Sequence, residues 1–240
     1  MKRFTHSIAA VLMAFTALAA CEKDPAGDNG TEQDGDGNTL EVGVDLGLTV
    51  RWADHNVGAT APEEAGNLYG WGETHTKDDY CWDKYSWATN MMMTKYNTSS
   101  GYGSVIDKKT TLESADDVAT VEMGEQWRMP TKEDFAELIS GCTWTWVDEG
   151  TKKGYTITSK VNSNSIFLPA AGMQNGKQPQ DVGTSGLYWS STLDTGSPNS
   201  AARILFYSNN LIFTGSDSRY YGASIRAVAV KKGSGTAQSQ

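Results

Sequence analysis

The feature that most limits the possible folds is a series of short segments rich in aromatic and β-branched residues, several with strict apolar–polar alternation. Gly, Asp, Asn and Ser residues separate them. Alternation with a period of two is typical of a strand with one buried face. The segments lie at 41–47, 48–53, 143–147, 154–158, 165–169, 186–192 and 224–230. The pattern predicts a sheet-rich domain of roughly eight short strands rather than a helical bundle.

The clearest helical signal follows Pro130. Thr131 is a good N-cap, and Asp134 three residues later resembles the second half of a capping box. Gly141 is expected to end the helix. One apolar stripe faces the sheet, formed by Phe135, Leu138 and Ile139.

A second short helix is predicted within 112–123, capped by Ser114. Asp116 and Asp117 would then lie near its N-terminus, where the helix dipole favours negative charge. The alternative is a Ca²⁺ site, but no loop pattern supplies the 6–8 oxygen ligands that Ca²⁺ takes. The predicted fold class is therefore α+β, with two short helices packed on small antiparallel sheets joined by long loops.

The N-terminal segment has the features of an export signal. Lys2 and Arg3 precede an apolar core at 8–18, and small residues lead directly to Cys21. Small residues before a Cys resemble a lipobox, in which the peptide is cut before the Cys and the Cys is acylated. We predict a lipoprotein signal peptide at 1–20 and lipidation at Cys21; an ordinary secretory signal is the alternative. The apolar core is too short to span a bilayer.

Three further parts of the chain follow from composition. Residues 21–40 combine the lipidated Cys with a disordered acidic tether, which has too few apolar residues to fold. Residues 41–232 form the folded domain, and 233–240 a disordered tail. Acidic residues directly after the Cys resemble the signal that sends some Gram-negative lipoproteins to the cell surface. The expected location is the outer membrane, lipid-anchored and exposed at the cell surface; a solvated spacer is the alternative reading.

Charge and cysteines exclude some classes of function. A net charge of −9 argues against nucleic-acid binding through phosphate contacts. Cys81 and Cys142 remain after processing, and export makes a disulfide possible, but sequence alone does not place them within bonding range. Neither lies in a cluster with metal-ligand spacing. No metal or cofactor is expected.

The C-terminal part of the chain has an unusual composition. From Ser190 to Arg226, a run of thirty-seven residues, there is no Lys, Gln, Glu, Met or Trp. The run is dense in Ser, Asn, Gly, Asp and Tyr, which are typical of surface loops and recognition surfaces. We therefore expect this region to present loops for binding.

A set of motifs carries a family resemblance over nearly the whole of 42–230. They are VDLGLTVRWA, NVGATAPEE, WGET, WRMPTKEDFAELI, CTWTW, SIFLPAAG, LYWSST and SIRAV, in this order. The chain resembles the Fibrobacter succinogenes major paralogous domain of surface lipoproteins, which is related to formylglycine-generating-enzyme-like and C-type-lectin-like folds. The resemblance implies a C-type-lectin-like α+β fold with displayed loops and neighbouring termini.

The resemblance does not carry over an activity. The active-site cysteine pair of formylglycine-generating enzymes is missing, since no Cys lies between Trp189 and Val230. The Glu-Pro-Asn, Gln-Pro-Asp and Trp-Asn-Asp motifs of Ca²⁺-dependent sugar-binding lectins are also missing. The resemblance therefore implies binding in general, but not calcium-dependent sugar binding.

Some lectin-like domains are variable proteins of diversity-generating retroelements, whose randomised codons ending in C never encode Lys, Gln, Glu, Met or Trp. The absence of these five residue types from 190–226 matches that rule, although a composition common to the whole family could also produce it. The candidate ligand-binding residues are Asp194, Ser197, Asn199, Ala201, Arg203, Ser208, Leu211, Phe213, Ser216, Asp217, Ser218, Arg219, Tyr220 and Tyr221. Aromatic and Arg side chains are the expected anchors, and those between Ala201 and Tyr221 are expected to be exposed: Arg203, Phe213, Arg219, Tyr220 and Tyr221.

Three functions are compatible with these observations. The leading one is a surface-anchored module, not an enzyme, that binds an extracellular protein or glycan through its C-terminal loop face, with the membrane as a second partner through the lipid. The second is a structural component of a surface or pilus assembly. The third is a glycan-active enzyme, for which candidate acid/base carboxylates are Asp54, Glu73, Asp116 and Asp117.

Overall fold

The structure is a computed structural model that describes residues 42–230. Within this part, short strands in small antiparallel sheets accompany two short α-helices, which confirms the α+β class at this level. The predicted signal peptide at 1–20, Cys21, the rest of the tether and the 233–240 tail lie outside the described residues. No helix within 42–230 combines the length and apolar character needed to cross a membrane.

The α-helices are α1 (Val118–Met123) and α2 (Lys132–Gly141). The first strands are β1 (Val50–Trp52), β2 (Ala88–Thr89), β3 (Met92–Met93), β4 (Trp127–Arg128), β5 (Cys142–Glu149), β6 (Lys152–Ser159) and β7 (Ser165–Pro169). The remaining strands are β8 (Met173–Asn175), β9 (Gln178–Gln180), β10 (Ser185–Leu193), β11 (Ser200–Tyr207), β12 (Leu211–Ser218) and β13 (Val228–Val230).

The three alternating segments predicted at 143–169 form an antiparallel meander of β5, β6 and β7. Its central strand buries Tyr155 and Ile157 completely. Tyr155 lies edge-on to Trp144 and Trp146 of β5, with ring centroids 5.6 and 5.2 Å apart. The predicted alternation is confirmed for β5 and β6, but β7 is buried on both faces, since Ile166, Phe167 and Leu168 are all buried.

Strand β10 lies at the centre of the molecule, with a hydrophobic cluster on each face. Tyr188 belongs to the cluster formed with α2 and the β5–β7 meander. Leu187 and Trp189 point to the opposite cluster, which includes Trp71 and Ala223. A strand that is covered on both faces needs a nearly continuous apolar run, as the sequence LYW provides.

The two ends of the described chain meet in one sheet. Strand β13 pairs antiparallel with β1 on one side and with β4 on the other, and Val50 lies opposite Val230. The segment predicted as a first strand at 41–47 forms only a single bridge, between Val44 and Trp52.

Helix α2 begins as predicted. The Thr131 hydroxyl accepts from the Asp134 N–H, and the Asp134 carboxylate accepts from the Thr131 N–H, which completes a capping box. For α1, the predicted cap is wrong. Asp117, rather than Ser114, accepts from the N–H groups of Ala119 and Thr120. A carboxylate satisfies two N–H groups there, so the helix starts at Val118.

The expectation of loops between 197 and 221 is right for 197–199, 208–210 and 219–221 and wrong for the rest, which forms β11 and β12. Ile204 and Phe206 alternate into the core and are fully buried. Burial of these two side chains favours a strand over a loop in this segment.

Candidate functional site

The predicted binding residues fall mainly on an antiparallel hairpin, here called the C-terminal hairpin: β11, the connection 208–210 and β12. Its three-residue connection places Asn210 in the left-handed region, with φ of 64°. The Ser208 N–H donates to the Thr184 carbonyl at 2.9 Å, and the Tyr155 hydroxyl donates to the Tyr207 carbonyl at 3.0 Å. The connection is therefore tied to the body of the molecule.

Three large apolar side chains are exposed near the end of this hairpin. Tyr207, Leu211 and Phe213 have exposed fractions of 37, 46 and 45%. Tyr207 lies directly opposite Leu211, and its ring contacts that of Phe213 edge-on, with centroids 6.2 Å apart. We call these three residues the apolar ladder. Exposed apolar residues grouped in this way mark interaction surfaces more often than single ones do.

An ion pair continues the same face of the sheet. The Arg203 Nε donates to Asp217 Oδ2 at 2.6 Å, and Arg203 Nη1 donates to the Phe213 carbonyl at 3.3 Å. Gly215 is the strand partner of Arg203, and a Cβ there would lie 3.1 Å from the guanidinium. The missing side chain at Gly215 therefore leaves space for Arg203 to lie across the hairpin.

On the opposite face, Ala202 and Ser216 line a cleft of about 440 Å³. Asp194 lines it as well, and its carboxylate accepts from the N–H groups of Gly196 and Ser197 at 3.0 and 3.2 Å. The other wall comes from outside the 190–226 stretch and includes Thr111, Lys132 and Glu133. The cleft thus joins the C-terminal stretch to the start of α2.

Two of the predicted residues are not available for binding. Ala201 and Arg219 are both fully buried, and for Arg219 the expectation that it is exposed is wrong. Ala201 packs in the cluster that contains Trp189. The rest of the predicted set is half-buried or exposed: Asp194, Ser197, Asn199, Arg203, Ser208, Leu211, Phe213, Ser216, Asp217, Ser218, Tyr220 and Tyr221.

Arg219 is held inside the molecule by neutral acceptors. Its guanidinium donates to the Tyr85 hydroxyl, the carbonyls of Lys95, Tyr96 and Pro198, and the Met93 sulfur, at 2.8 to 3.3 Å. Its central carbon lies 4.7 Å from the centroid of the Trp71 ring. No carboxylate contacts it within the described part of the chain. Arg219 therefore joins the end of the hairpin to the 85–96 segment instead of facing solvent.

Tyr220 and Tyr221 belong to an aromatic group with Trp82. The Tyr220 ring centroid lies 4.8 Å from that of Trp82 and 4.7 Å from that of Tyr221. Burial raises the pKa of Tyr220 to about 12, so its phenol stays protonated at neutral pH. Trp82 was not predicted as a site residue, because nothing in the sequence around it indicates a contact with Tyr220.

The four carboxylates considered for catalysis do not converge as a set. Glu73 and Asp116 line one cavity, where each is paired with a lysine. Asp54 instead contacts His55, with 2.6 Å between Oδ1 and Nδ1. Asp117 caps α1, and burial raises the pKa of its carboxyl although three backbone N–H groups oppose the shift.

The described residues contain no group of three side chains able to hold a metal ion. Cys81 and Cys142, the two cysteines within 42–230, are not bonded to each other. Comparisons with protein-family models, with curated proteins and with solved structures found no match.

Proposed function

We propose that this protein is a surface-anchored lipoprotein of C-type-lectin-like fold that binds a protein or glycan ligand through the C-terminal hairpin. The observation that carries the proposal is the exposed apolar ladder of Tyr207, Leu211 and Phe213 beside the Arg203–Asp217 pair. Aromatic and Arg side chains dominate the energy of many interfaces, and here they lie on one continuous face.

The attachment of the C-terminal hairpin to the core also favours ligand recognition. The strands that carry the ladder are anchored on one side by β10, which is buried in the core. Ladder residues therefore need little ordering when they bind, which reduces the entropy cost of association. Ser, Asn and Gly around the ladder provide adaptable hydrogen bonds.

Diversification by a retroelement is the second part of the proposal. The ladder, Arg203, Asp217, and the cleft residues Asp194 and Ser216 all lie within the stretch that lacks five residue types. Sequencing the DNA downstream of the gene checks this part. A near-copy of the 190–226 coding segment beside a reverse transcriptase, differing mainly at adenines, is the expected result; its absence would assign the residue gap to family composition.

Anchoring at the outer membrane is proposed from the sequence features of residues 1–40. The absence of a membrane-spanning helix within 42–230 is compatible with attachment through a lipid at Cys21. Mass spectrometry of the protein extracted from membranes should show acyl chains on Cys21, and a mature chain without them would contradict lipid attachment.

Ligand binding is tested with an array of bacterial and host glycans and extracellular protein domains. The mature chain is compared with Tyr207→Ala, Phe213→Ala and, as a matched control, Val161→Ala. Val161 is 76% exposed and lies outside the hairpin. We expect each ladder variant to weaken binding of the array ligands about tenfold or more, while the control binds as the wild type does. Equal binding by all variants would overturn the assignment of the hairpin.

A further inference from the structure

A second cavity, of about 410 Å³, lies at the 72–87 segment and plays no part in the proposal above. The residues that carry the argument are Glu73, Thr74, Thr76, Lys77, Trp87 and Asp116, which all line it. Its size falls in the range of small-molecule sites, from about 300 to 1,000 Å³. Its lining combines one large aromatic ring with hydroxyls and charges of both signs.

The charges on its wall are neutralised in pairs. The Lys77 ammonium lies 2.7 and 2.5 Å from the two carboxylate oxygens of Glu73. The Ser86 N–H and hydroxyl also donate to Glu73 Oε1, at 2.8 and 2.7 Å. Lys95 lies 2.5 Å from Asp116 Oδ2, and Lys84 lies 3.5 Å from Asp79. An ionic ligand would gain little net attraction here, whereas a neutral polar ligand meets donors and acceptors together.

Several polar atoms of this wall remain available. Asp116 uses Oδ2 for Lys95 and for the Tyr96 hydroxyl. Among the described residues, none donates to Asp116 Oδ1, and the hydroxyls of Thr74 and Thr76 make no hydrogen bond. These groups can therefore accept or donate to a ligand without losing a partner inside the protein.

The aromatic wall is fixed in place. Trp87 is half-buried, and its Nε1 donates to the Gly72 carbonyl at 2.7 Å. Gly72 has a φ of +75°, and a Cβ there would lie 3.0 Å from Leu112 Cδ2 and 3.2 Å from Trp87 Nε1. The Lys95 ammonium lies 4.9 Å from the centroid of the Trp87 ring. The fixed indole ring therefore offers a flat apolar surface beside the polar groups of the cavity.

We infer that this cavity binds a neutral, hydroxyl-rich ligand of the hexose class, as a free sugar or as one unit of a glycan. The C–H face of such a ring packs on the Trp87 indole. Its hydroxyls donate to Asp116 Oδ1 and exchange hydrogen bonds with Thr74 and Thr76. The step is binding alone, so no covalent bond changes. This site is independent of the C-terminal hairpin, and either can fail without the other.

The test uses the mature chain labelled with ¹⁵N and the methyl glycosides of glucose, galactose, mannose and N-acetylglucosamine. We expect at least one glycoside to shift the Trp87 indole N–H resonance in a saturable titration. Thr74→Val keeps the shape of the side chain and removes its hydroxyl, and Asp116→Asn changes the acceptor. Each should weaken binding about tenfold.

Two matched variants serve as controls. Thr89→Val removes an exposed hydroxyl from β2, and Trp82→Phe changes a half-buried indole; neither residue lines this cavity. Both should bind the glycoside as the wild type does. The inference is overturned if no glycoside shifts the Trp87 resonance, or if Thr74→Val binds as tightly as Thr89→Val. Since Thr74 lies at the cavity wall and its hydroxyl has no partner among the described residues, its variant is expected to fold.

Discussion

At the scale of single residues, the two fully buried arginines are the most informative. Burying a cation is costly unless hydrogen bonds replace its lost water. Arg219 meets this need with a phenol, backbone carbonyls and a thioether sulfur. Arg226 does so with the carbonyls of Ala53, Asp54 and Phe167 and the side chain of Asn56. In both cases the acceptors fix several loops relative to one strand.

We therefore expect substitutions of Arg219 and Arg203 to differ strongly in their effect on the free energy of unfolding. Arg219→Lys keeps the charge but reaches fewer of the acceptors, so it should lower the free energy of unfolding by about 3 to 5 kcal/mol. Arg203 is 12% exposed and has a carboxylate partner, so Arg203→Lys can keep the pairing with Asp217 and should cost only about 1 kcal/mol. Urea denaturation of both variants measures the difference, and similar costs would contradict the structural role of Arg219.

The burial of Arg219 could not be predicted from the sequence. Its acceptors lie 21 to 134 residues away along the chain, and most are backbone carbonyls. Carbonyls are present in every residue, so no residue type signals their position. A neighbouring Tyr-Tyr pair made Arg219 look like part of an exposed recognition loop.

At the scale of elements, prediction succeeded where the signal was local. The capping box and apolar stripe of α2 lie within about three turns of helix, and strands β5 and β6 carry their own alternation. Strands β11 and β12 were missed because Ser, Asn and Gly usually indicate loops, while the pairing of β11 with β10 and of β12 with β11 decides their conformation. The cavity beside Trp87 depends on contacts between distant segments, so the sequence indicated its carboxylates but not their partners.

Close packing between β10 and β11 yields a second prediction. A Cβ at Gly186 would lie within 3 Å of three ring atoms of Phe206, its cross-strand partner. Gly186→Ala should therefore lower the free energy of unfolding by about 1 to 3 kcal/mol, because the buried Phe206 ring has little space to shift. Gly196→Ala lies in an exposed turn and should change stability by less than about 0.5 kcal/mol.

A double-mutant cycle with Phe206→Leu identifies the cause. If the clash with the ring is responsible, Phe206→Leu should cost less stability in the Gly186→Ala background than in the wild type. Chemical denaturation of the four chains provides the values. Additive effects would mean that Gly186 is needed for another reason.

At the scale of the whole molecule, the sheet of β1, β13 and β4 places the ends of the described chain side by side. The Arg51 side chain donates to the carbonyl of Val42, while the backbone of Arg51 lies opposite Ala229 in β13. Both ends are thus held by the same short sheet. The C-terminal hairpin follows β10 and precedes β13 along the chain.

The two ends of the described chain can consequently be joined by a short link, and the chain can be opened instead at an exposed turn. A circular permutant that links 230 to 42 and opens between Gly150 and Thr151 should fold, because both residues are exposed in the β5–β6 turn. Its near-ultraviolet circular dichroism should match that of the original order. Opening instead between Tyr188 and Trp189 should abolish folding, and a folded product there would show that β10 need not be continuous.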